Sequence, residues 1–262
     1  MQLNLNSVKY TIIFATIVCV VCSIMVAASA VALAERQETN RKVYRQRNVL
    51  QAAGIIKDGQ KVSNEEVIKL FNESIEPKLV DLETGEYSTE SDAATYDQLA
   101  AREDPAMSEE APANNSSIKR VPKLGLVYHV LKDGHVDAVV IPVEGYGLWG
   151  TLYGYLAFEH DGDTVRGITY YDHKETPGLG GEVDNPKWKA LWPGRKGYDA
   201  EGKPAIKVIK GKAGGVEEAP HNIDGLSGST ITSNGVTHMM EFWLGENGYG
   251  PFLKKFGQQG SA

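Results

Sequence analysis

Apolar residues follow three patterns along this chain: an unbroken run, helical spacing and strand-like alternation. From Tyr10 to Ala34 they form an almost unbroken run of 25 residues without a charge. About 20 apolar residues cross a bilayer as a helix, so the run predicts a transmembrane span over residues 10–34. The alternative is a cleaved signal peptide, because Lys9 provides a positive flank and Ala32-Leu33-Ala34 reads as A-x-A. The run exceeds the usual signal region of about 7–15 apolar residues, which favours the anchor.

Helical spacing of the apolar residues continues after the span. It extends the first helix to Gly54, a typical helix stop, and it predicts a second helix from Asn64 to about Ile75. Ser63 or Asn64 would cap the second helix. The helix would end near Pro77, because proline breaks the helical hydrogen-bond pattern.

The stretch from Asp81 to Ile118 is acidic and irregular. It contains ten Asp or Glu residues against one basic residue, Arg102, together with Pro105 and Pro112. Such a composition is typical of solvated segments that bury little apolar surface. We expect a long surface excursion with one short helix and assign no binding role to it.

From Leu124 onward, apolar and polar residues alternate as they do in β-strands. Two strand pairs flank short polar turns, at Asp133-Gly134 and at Asp161 to Asp163. Asp-Gly between apolar runs is a strong hairpin signal. A further strand is predicted from Ala205, and no strand is predicted to lead directly into the turn at Ser227.

The end of the chain returns to helical spacing from about Ile231, with Gly245 as the expected stop. Because strands precede helices without βαβ alternation, the predicted fold class is α+β. One N-terminal transmembrane helix would be followed by a mixed α/β domain with antiparallel strands. The predicted divisions are residues 1–9 before the span, 10–34 as the span, 35–123 as a helical and acidic-loop segment, and 124–262 as the main domain.

Net charge and the positions of cysteines, histidines and cations limit the functions and locations that the sequence supports. The net charge of −7 argues against nucleic-acid binding, which depends on neutralising phosphates with Lys and Arg. Both cysteines, Cys19 and Cys22, lie in the apolar run, so no disulfide is expected elsewhere. None of the six histidines shows a metal-binding spacing, so no metal site is predicted. Five cations follow the span, and the positive-inside rule therefore favours a cytoplasmic main domain.

The stretch DGLSGSTITSNG, Asp224 to Gly235, concentrates hydroxyl side chains between glycines. It lacks the last glycine of a G-x-S-x-G nucleophile elbow, because Ser229 stands there. It also lacks the G-K-[ST] of a Walker loop. Two interpretations remain equally weighted on local chemistry: a phosphate site at a helix N-terminus, and ordinary helix capping by Ser229 or Thr230.

Other glycine-rich loops point to a flat ligand. The segment ETPGLGG, Glu175 to Gly181, allows close backbone approach to a ring, and its Thr176 offers a hydroxyl. Tyr146, Trp149 and Leu179 are suited to sandwiching an aromatic ring. An apolar clamp, backbone hydrogen bonds and an anchored phosphate are features that a flavin requires.

A resemblance to a known family builds on these observations. DGLSGST resembles the flavinylation motif D-G-x-[ST]-G-[AS]-T, whose last threonine carries FMN through a phosphoester. With GYGLWG, ETPGLGGEV and the N-terminal span, the whole chain resembles the family of C subunits of Na⁺-translocating NADH:quinone reductases. The resemblance implies an electron-transfer subunit with covalent FMN, in a membrane complex that oxidises NADH, reduces ubiquinone and exports Na⁺. Ser229 departs from the commoner alanine and adds a hydroxyl beside the attachment point.

The same resemblance implies which residues bind the flavin. Thr230 would carry the FMN phosphoryl group, Asp224 would belong to the signature read by the flavin transferase, and no residue would be catalytic. The other expected contacts are Ser227, Gly228 and Ser229 around the phosphate, Trp149, Thr176, Leu179 and Gly180 around the ring, and Lys212 near the ring edge or the phosphate. Residues 124–262 would then be the FMN-binding domain.

Location and partners also follow from the resemblance. It implies a single-pass protein of the bacterial inner membrane, with residues 1–9 cytoplasmic and residues 35–262 periplasmic, and it overrides the positive-inside rule. The partners would be the other membrane subunits and, during maturation, a flavin transferase that takes FMN from FAD. The alternatives are the paralogous flavin subunit of an Rnf-type ferredoxin:NAD⁺ oxidoreductase, a non-catalytic anchored periplasmic module, and an anchored serine hydrolase acting through Ser227.

Overall fold

The computed structural model describes residues 7–259, so residues 1–6 of the predicted N-terminal segment lie outside the described residues. Contacts divide the chain after Tyr44 into two units. Helix α1, Val8–Ala52, begins in the first unit and ends close to the predicted stop at Gly54, whose φ is 75°. In the described part of the chain, α1 is the one helix long and apolar enough to cross a membrane. None of its most apolar 18-residue window is buried, which suits contact with lipid.

In the described residues, the second unit contains ten strands and five further helices. Its strands are β1 Ile75–Asp81, β2 Tyr87–Ser88, β3 Ser108–Glu110, β4 Arg120–Pro122, β5 Leu124–Lys132, β6 His135–Tyr146, β7 Thr151–Glu159, β8 Val165–Asp172, β9 Lys207–Val208 and β10 Asn222–Ile223. Its helices are α2 Asn64–Ser74, α3 Gln98–Glu103, α4 Pro186–Lys189, α5 Thr230–Trp243 and α6 Gly250–Gln259, with a 3₁₀ helix at Gly180–Asp184. The predicted α+β class is confirmed.

An antiparallel sheet in the spatial order β2-β1-β5-β6-β7-β8 forms the centre of this unit. Side chains alternate between its two faces. Glycine has no β-carbon, and one placed at Gly145 of β6 would lie only 2.7 Å from Met239 of α5, so α5 packs closely on this face. On the other face, a β-carbon at Gly167 of β8 would lie 2.6 Å from the carbonyl oxygen of Ala52. Helix α5 and the end of α1 therefore cover opposite faces, and each excludes water from one side of the sheet.

Both predicted hairpins are confirmed. Strands β5 and β6 join through Asp133 and Gly134, whose φ values of 51° and 80° are typical of the turn that Asp-Gly favours. Strands β7 and β8 join around Asp161, whose Oδ1 accepts the backbone N–H groups of Asp163 and Thr164 at 3.0 and 2.7 Å. Local turn chemistry therefore sets the register of the central strands.

The second helix, predicted from Asn64 to about Ile75, is confirmed as α2, Asn64–Ser74. The Ser63 hydroxyl accepts the Glu66 backbone N–H at 3.2 Å, so Ser63 is the N-cap. The helix ends near Pro77, as predicted, and the proline itself lies inside β1 opposite Tyr128. Because β2 pairs only with Leu79 and Val80, β1 has an open edge at Pro77, where proline is tolerated.

The acidic stretch is more ordered than its composition predicts. It contains the expected short helix, α3, but it also contributes β2 to the main sheet and β3 to a pair with β4. Leu82, Ala101 and Ser108 of this stretch are buried. A few apolar positions among many carboxylates are therefore enough to pack this segment on the sheet.

Strand and helix predictions near the C-terminus need two corrections. The strand expected from Ala205 is only β9, which pairs in parallel with β10 outside the main sheet. Strand β10 is not predicted from the sequence, and it ends at Ile223, short of the turn at Ser227. The predicted helix is α5, which ends at Trp243 just before Gly245, and a separate helix, α6, follows.

Candidate functional site

The hydroxyl-rich stretch forms a tight turn that leads directly into α5. Ser227 and Gly228 occupy the turn, which the Ser229 N–H closes on the Leu226 carbonyl at 3.1 Å. Gly228 has a φ of 72°, a conformation that glycine adopts without strain. Thr230 is the first helical residue, and its side chain is exposed. Within residues 7–259 its hydroxyl has no hydrogen-bond partner, so this oxygen is available for another group.

Helix capping does not account for this arrangement. Ser229 occupies the N-cap position but makes no side-chain cap hydrogen bond, and it is only 6 % exposed. The hydroxyl that does bind the backbone before the turn is that of Ser233, which accepts the Leu226 N–H at 3.1 Å. The first N–H groups of α5 therefore remain directed at the space beside Thr230, where a helix terminus favours an anion.

The geometry also argues against a serine hydrolase. His221 Nδ1 lies 3.0 Å from the Lys196 carbonyl, and Asp224 Oδ1 accepts the Ala213 N–H at 2.8 Å. No hydrogen bond joins Ser227, His221 and Asp224 to one another in the described residues. Ser227 thus has no base oriented to activate its hydroxyl, which nucleophilic catalysis requires.

Glu175 connects the glycine-rich loops of the site. Its Oε1 accepts the backbone N–H groups of Leu148 and Trp149, both at 2.9 Å. Its Oε2 accepts the hydroxyl of Thr232 in α5 at 2.5 Å. The loop between β6 and β7, the loop after β8 and the first turns of α5 therefore meet at one side chain. Glu175 is the first residue of the ETPGLGG loop, and no role was predicted for it from the sequence.

Close approaches at glycines hold the same elements together. A β-carbon at Gly180 would lie 2.3 Å from Glu175 Oε2 and 2.6 Å from the Thr232 hydroxyl. A β-carbon at Gly235 of α5 would lie 2.3 Å from the Tyr146 carbonyl oxygen. The Gly235 contact requires glycine because the Tyr146 carbonyl is backbone, whereas a β-carbon at Gly180 would displace the Glu175 and Thr232 side chains. The close approach gives Gly180 a packing role at the junction of the loops.

Asp224 fixes a neighbouring loop instead of facing the turn. Besides accepting the Ala213 N–H, it uses its carbonyl to accept the Trp188 indole N–H at 2.8 Å. The next residue, Gly225, donates its N–H to the Gly211 carbonyl at 2.8 Å. These bonds hold Lys212, which is exposed, on a loop beside the stretch that precedes α5. Among the described residues, no hydrogen bond joins the Lys212 side chain to Thr230.

Apolar side chains are exposed around the junction of these loops. Trp149 is 61 % exposed, far more than is usual for the largest side chain in proteins. The other exposed members of this apolar patch are Tyr146, Leu148, Leu179 and Ile231. Leu179 borders the serine turn, because a β-carbon at Gly228 would lie 3.1 Å from its Cδ2. A grouped apolar surface of this kind is typical of a binding site.

The loop after β8 is supported by a histidine. His173 Nε2 lies 2.8 Å from Asp184 Oδ2, and this hydrogen bond raises the pKa of His173. The Glu175 N–H donates to His173 Nδ1 at 3.2 Å. Further along, the Thr176 carbonyl accepts the N–H groups of Leu179 and Gly181. The Thr176 side chain is exposed, and its hydroxyl has no hydrogen-bond partner within residues 7–259.

The predicted site residues fall into two groups in the structure. Those brought together around the turn and the loop junction are Thr230, Ser227, Gly228, Ser229, Leu179, Gly180, Thr176 and Trp149. Asp224 and Lys212 belong to an adjoining loop. Glu175 and Thr232 were not predicted as site residues, although the sequence has one signal for Glu175, a single carboxylate at the start of a glycine-rich loop. The donors, the free hydroxyl and the apolar patch fit a flat ring with a phosphate.

Comparison with known proteins agrees with this geometry. The model of the FMN-binding domain family matches residues 147–245, which include both glycine-rich loops and the start of α5. The C subunit of the Na(+)-translocating NADH-quinone reductase of Pseudomonas aeruginosa is 47 % identical over 253 residues, covering 95 % of this chain and 96 % of the relative. The C subunit of the same enzyme from Yersinia pestis is 46 % identical over 255 residues, covering 96 % and 94 %.

Solved structures show the same fold. The crystal structure of Shewanella oneidensis NqrC superimposes with a TM-score of 0.74 at 36 % identity, covering 82 % of this chain and 98 % of that chain. The C subunit of the Na(+)-translocating NADH-quinone reductase from Parabacteroides distasonis gives a TM-score of 0.65 at 30 % identity, covering 84 % and 96 %. The similarity therefore covers most of the chain and is not confined to the DGLSGST motif.

Proposed function

Because this chain belongs to the family of Na(+)-translocating NADH-quinone reductase C subunits, we propose that it is the flavin-bearing electron-transfer subunit of such a complex. The family's defining domain binds FMN, and the match spans both loops of the site. The observation that carries the proposal is the exposed hydroxyl of Thr230 at the start of α5, unpaired within residues 7–259 and beside the exposed apolar patch. Family membership favours this function over the Rnf-type subunit and over a non-catalytic anchored module.

Thr230 is the proposed attachment point of the FMN phosphate through a phosphoester. The buried Ser229 is a poor alternative because its hydroxyl is withdrawn from solvent. Free N–H groups in the first turn of α5 and the dipole of this 14-residue helix favour the phosphate's negative charge. The Ser227 hydroxyl and the Gly228 backbone border the same space. No base among the described residues is placed to activate Thr230, so a separate flavin transferase performs the attachment.

The ring of the flavin would lie against the apolar patch. Trp149 and Leu179 present apolar surfaces for its faces, and the Thr176 hydroxyl is free to bind a polar edge. When bound, FMN accepts and donates electrons, which no amino-acid side chain in the site does. The protein would contribute attachment, orientation and exclusion of water from one face of the ring. Lys212 is proposed near the ring edge or phosphate.

The chain is a membrane-anchored single-pass subunit whose partners are the other subunits of the complex. Helix α1 provides the anchor, with the span at residues 10–34. We place residues 1–9 in the cytoplasm and residues 35–262, including an FMN-binding domain over 124–262, in the periplasm of the bacterial inner membrane. A single span without internal charge offers no sodium path of its own, so Na⁺ would cross through partner subunits.

Reduction by NADH in the purified complex tests the electron-transfer role. In the wild-type complex, the flavin on this subunit should become reduced within turnover, and Thr230→Val should abolish both its signal and quinone reduction while the complex still assembles. Ser229→Ala is the matched control and should retain both. A Thr230→Val complex that reduces quinone at the wild-type rate would refute the proposed role.

A further inference from the structure

Glu175 is an unusual residue for a purely structural junction. It is 5 % exposed, and no Lys, Arg or His lies within ion-pair distance of it in residues 7–259. Burying a carboxylate is costly unless hydrogen bonds replace its water. Here the three replacing donors are two N–H groups from the tryptophan loop (residues 147–150) and one hydroxyl from α5. Within residues 7–259, all three hydrogen bonds to the two carboxylate oxygens therefore come from elements of the flavin site.

The surrounding backbone is fitted to this carboxylate. A β-carbon at Gly147 would lie 2.6 Å from Oε1, and one at Gly180 would lie 2.3 Å from Oε2. Both oxygens are thus enclosed by backbone on one side and by their donors on the other. Closely packed protein interiors tolerate little displacement, so the side chain has one position available. That position sets where the tryptophan loop sits relative to α5.

We propose that Glu175 is the positioning residue of the flavin site. By holding the Trp149 backbone N–H and the Thr232 hydroxyl at once, it fixes the distance between Trp149 and Thr230, which lies two residues before Thr232 in α5. The inference rests on the proposed function, since the distance between Trp149 and Thr230 matters for a flavin that is attached to Thr230 and packs against Trp149. Glu175 acts through Trp149 and α5 and not by contact with the reacting atoms.

Three variants separate the parts of this role. Glu175→Ala removes both ties. Thr232→Val keeps the shape of the threonine and removes only the tie to α5. Glu175→Gln retains a carbonyl oxygen for the two loop N–H groups, and its amide can donate to the Thr232 hydroxyl, so it preserves both ties without the charge. A positioning role predicts that the glutamine variant rescues what the alanine variant loses.

Hydrogen exchange on the full-length chain in detergent, without flavin, measures the positioning directly. The amides of Leu148 and Trp149 should exchange about tenfold faster in Glu175→Ala, because opening of the loop no longer breaks bonds to a charged acceptor. Thr232→Val should give a smaller increase at the same amides, and Glu175→Gln should stay within about threefold of wild type. Thr232→Val keeps the test decisive if the alanine variant fails to fold.

Thr169→Val is the matched control. The Thr169 hydroxyl donates a buried hydrogen bond to Asn48 Oδ1 at 3.0 Å on the opposite face of the sheet, so its loss lowers stability without touching the site. Exchange at Leu148 and Trp149 should remain at the wild-type rate in this variant. Equal acceleration in Thr169→Val and Thr232→Val, or no acceleration in Glu175→Ala and Thr232→Val, would overturn the proposal.

A second readout uses the flavin itself. In flavinylated protein, the visible circular dichroism of the ring should weaken in Glu175→Ala and Thr232→Val but not in Glu175→Gln or Thr169→Val. Unchanged dichroism in the first two variants would contradict the positioning role. Failure of the proposed function looks different: wild-type protein would then carry no flavin at Thr230, whereas the exchange results on the flavin-free chain would be unaffected.

Discussion

Gly235 shows how a single residue can decide the position of the helix that carries Thr230. It lies in the interior of α5, where alanine normally stabilises a helix by about 0.5–1 kcal/mol relative to glycine. The structure predicts the opposite sign, because a β-carbon there would lie 2.3 Å from the Tyr146 carbonyl oxygen. Backbone cannot rotate away as a side chain can, so α5 or the end of β6 would have to shift.

Gly235→Ala should therefore lower the free energy of unfolding by about 1–3 kcal/mol, the usual cost of overpacking. Urea denaturation of the full-length chain in detergent measures it. Gly215→Ala is the matched control, since a β-carbon there meets nothing within 4 Å, and it should change stability by less than about 0.5 kcal/mol. A stabilised Gly235→Ala variant would show that the close approach does not constrain α5.

At this scale, the sequence indicates some site residues and conceals others. The exposed threonine and the serine turn are visible because the motif is local and the glycine at position 228 fits a left-handed turn. The roles of Glu175 and Thr232 are invisible because they arise from a contact between residues 57 positions apart. Asp224 is visible as part of the motif, but its contact with Ala213 depends on the path of the loop that precedes the motif.

Among the elements, the β7–β8 hairpin makes a prediction that depends on pH. Asp161 is partly buried, which opposes its ionisation, but hydrogen bonds from Thr164, Asp163 and Lys196 outweigh burial and lower its pKa to about 2. The unfolded value is about 3.9. Because the folded-state pKa is the lower one, the ionised carboxylate stabilises the fold above about pH 4, and the contribution disappears as the pH falls through about 2.

Asp161→Asn should accordingly be less stable than wild type near neutral pH, and the difference should shrink between about pH 4 and pH 2. Urea denaturation across this range gives the comparison. Asp133→Asn provides the control in the other hairpin, where the aspartate side chain accepts no hydrogen bond among the described residues. A difference for Asp161→Asn that stays constant down to pH 2 would exclude the low pKa as its cause.

Elements with strong local signals are predicted well, and elements that depend on long-range pairing are not. Both hairpins of the sheet follow from Asp-Gly turns between apolar runs. Strands β9 and β10 each have two residues and pair in parallel across a long connection, which leaves no periodic pattern to detect. Pro77 correctly indicates a nearby helix end, but its position inside β1 could not be predicted, because the open edge that admits it depends on the short length of β2.

For the whole molecule, the side of the membrane occupied by the second unit is open to direct test. Outside α1 the chain has no cysteine, so an introduced cysteine on a background without Cys19 and Cys22 reports its own location. Glu201 is a suitable site because it is exposed and its one ion pair, to Lys203 at 3.7 Å, is a weak surface contact. The proposed orientation places it in the periplasm.

Glu201→Cys should react with a membrane-impermeant maleimide in intact cells, and Asn4→Cys should react only after the membrane is opened. Charge counting around the span predicts the reverse, since the positive-inside rule puts the second unit in the cytoplasm. Labelling of Asn4→Cys and not Glu201→Cys in intact cells would restore that interpretation. It would also place the site beyond reach of a periplasmic flavin transferase.

The proposed function depends on the attachment of FMN to Thr230, which peptide mass spectrometry of protein purified from the native host detects. The peptide containing Asp224 to Gly235 should carry the added mass of one FMN less one water, with fragment ions locating it on Thr230. Thr230→Val should remove this mass, and Ser229→Ala should retain it. An unmodified peptide from a host with active flavin transferase, or a modification located on Ser227 or Ser229, would refute the attachment at Thr230.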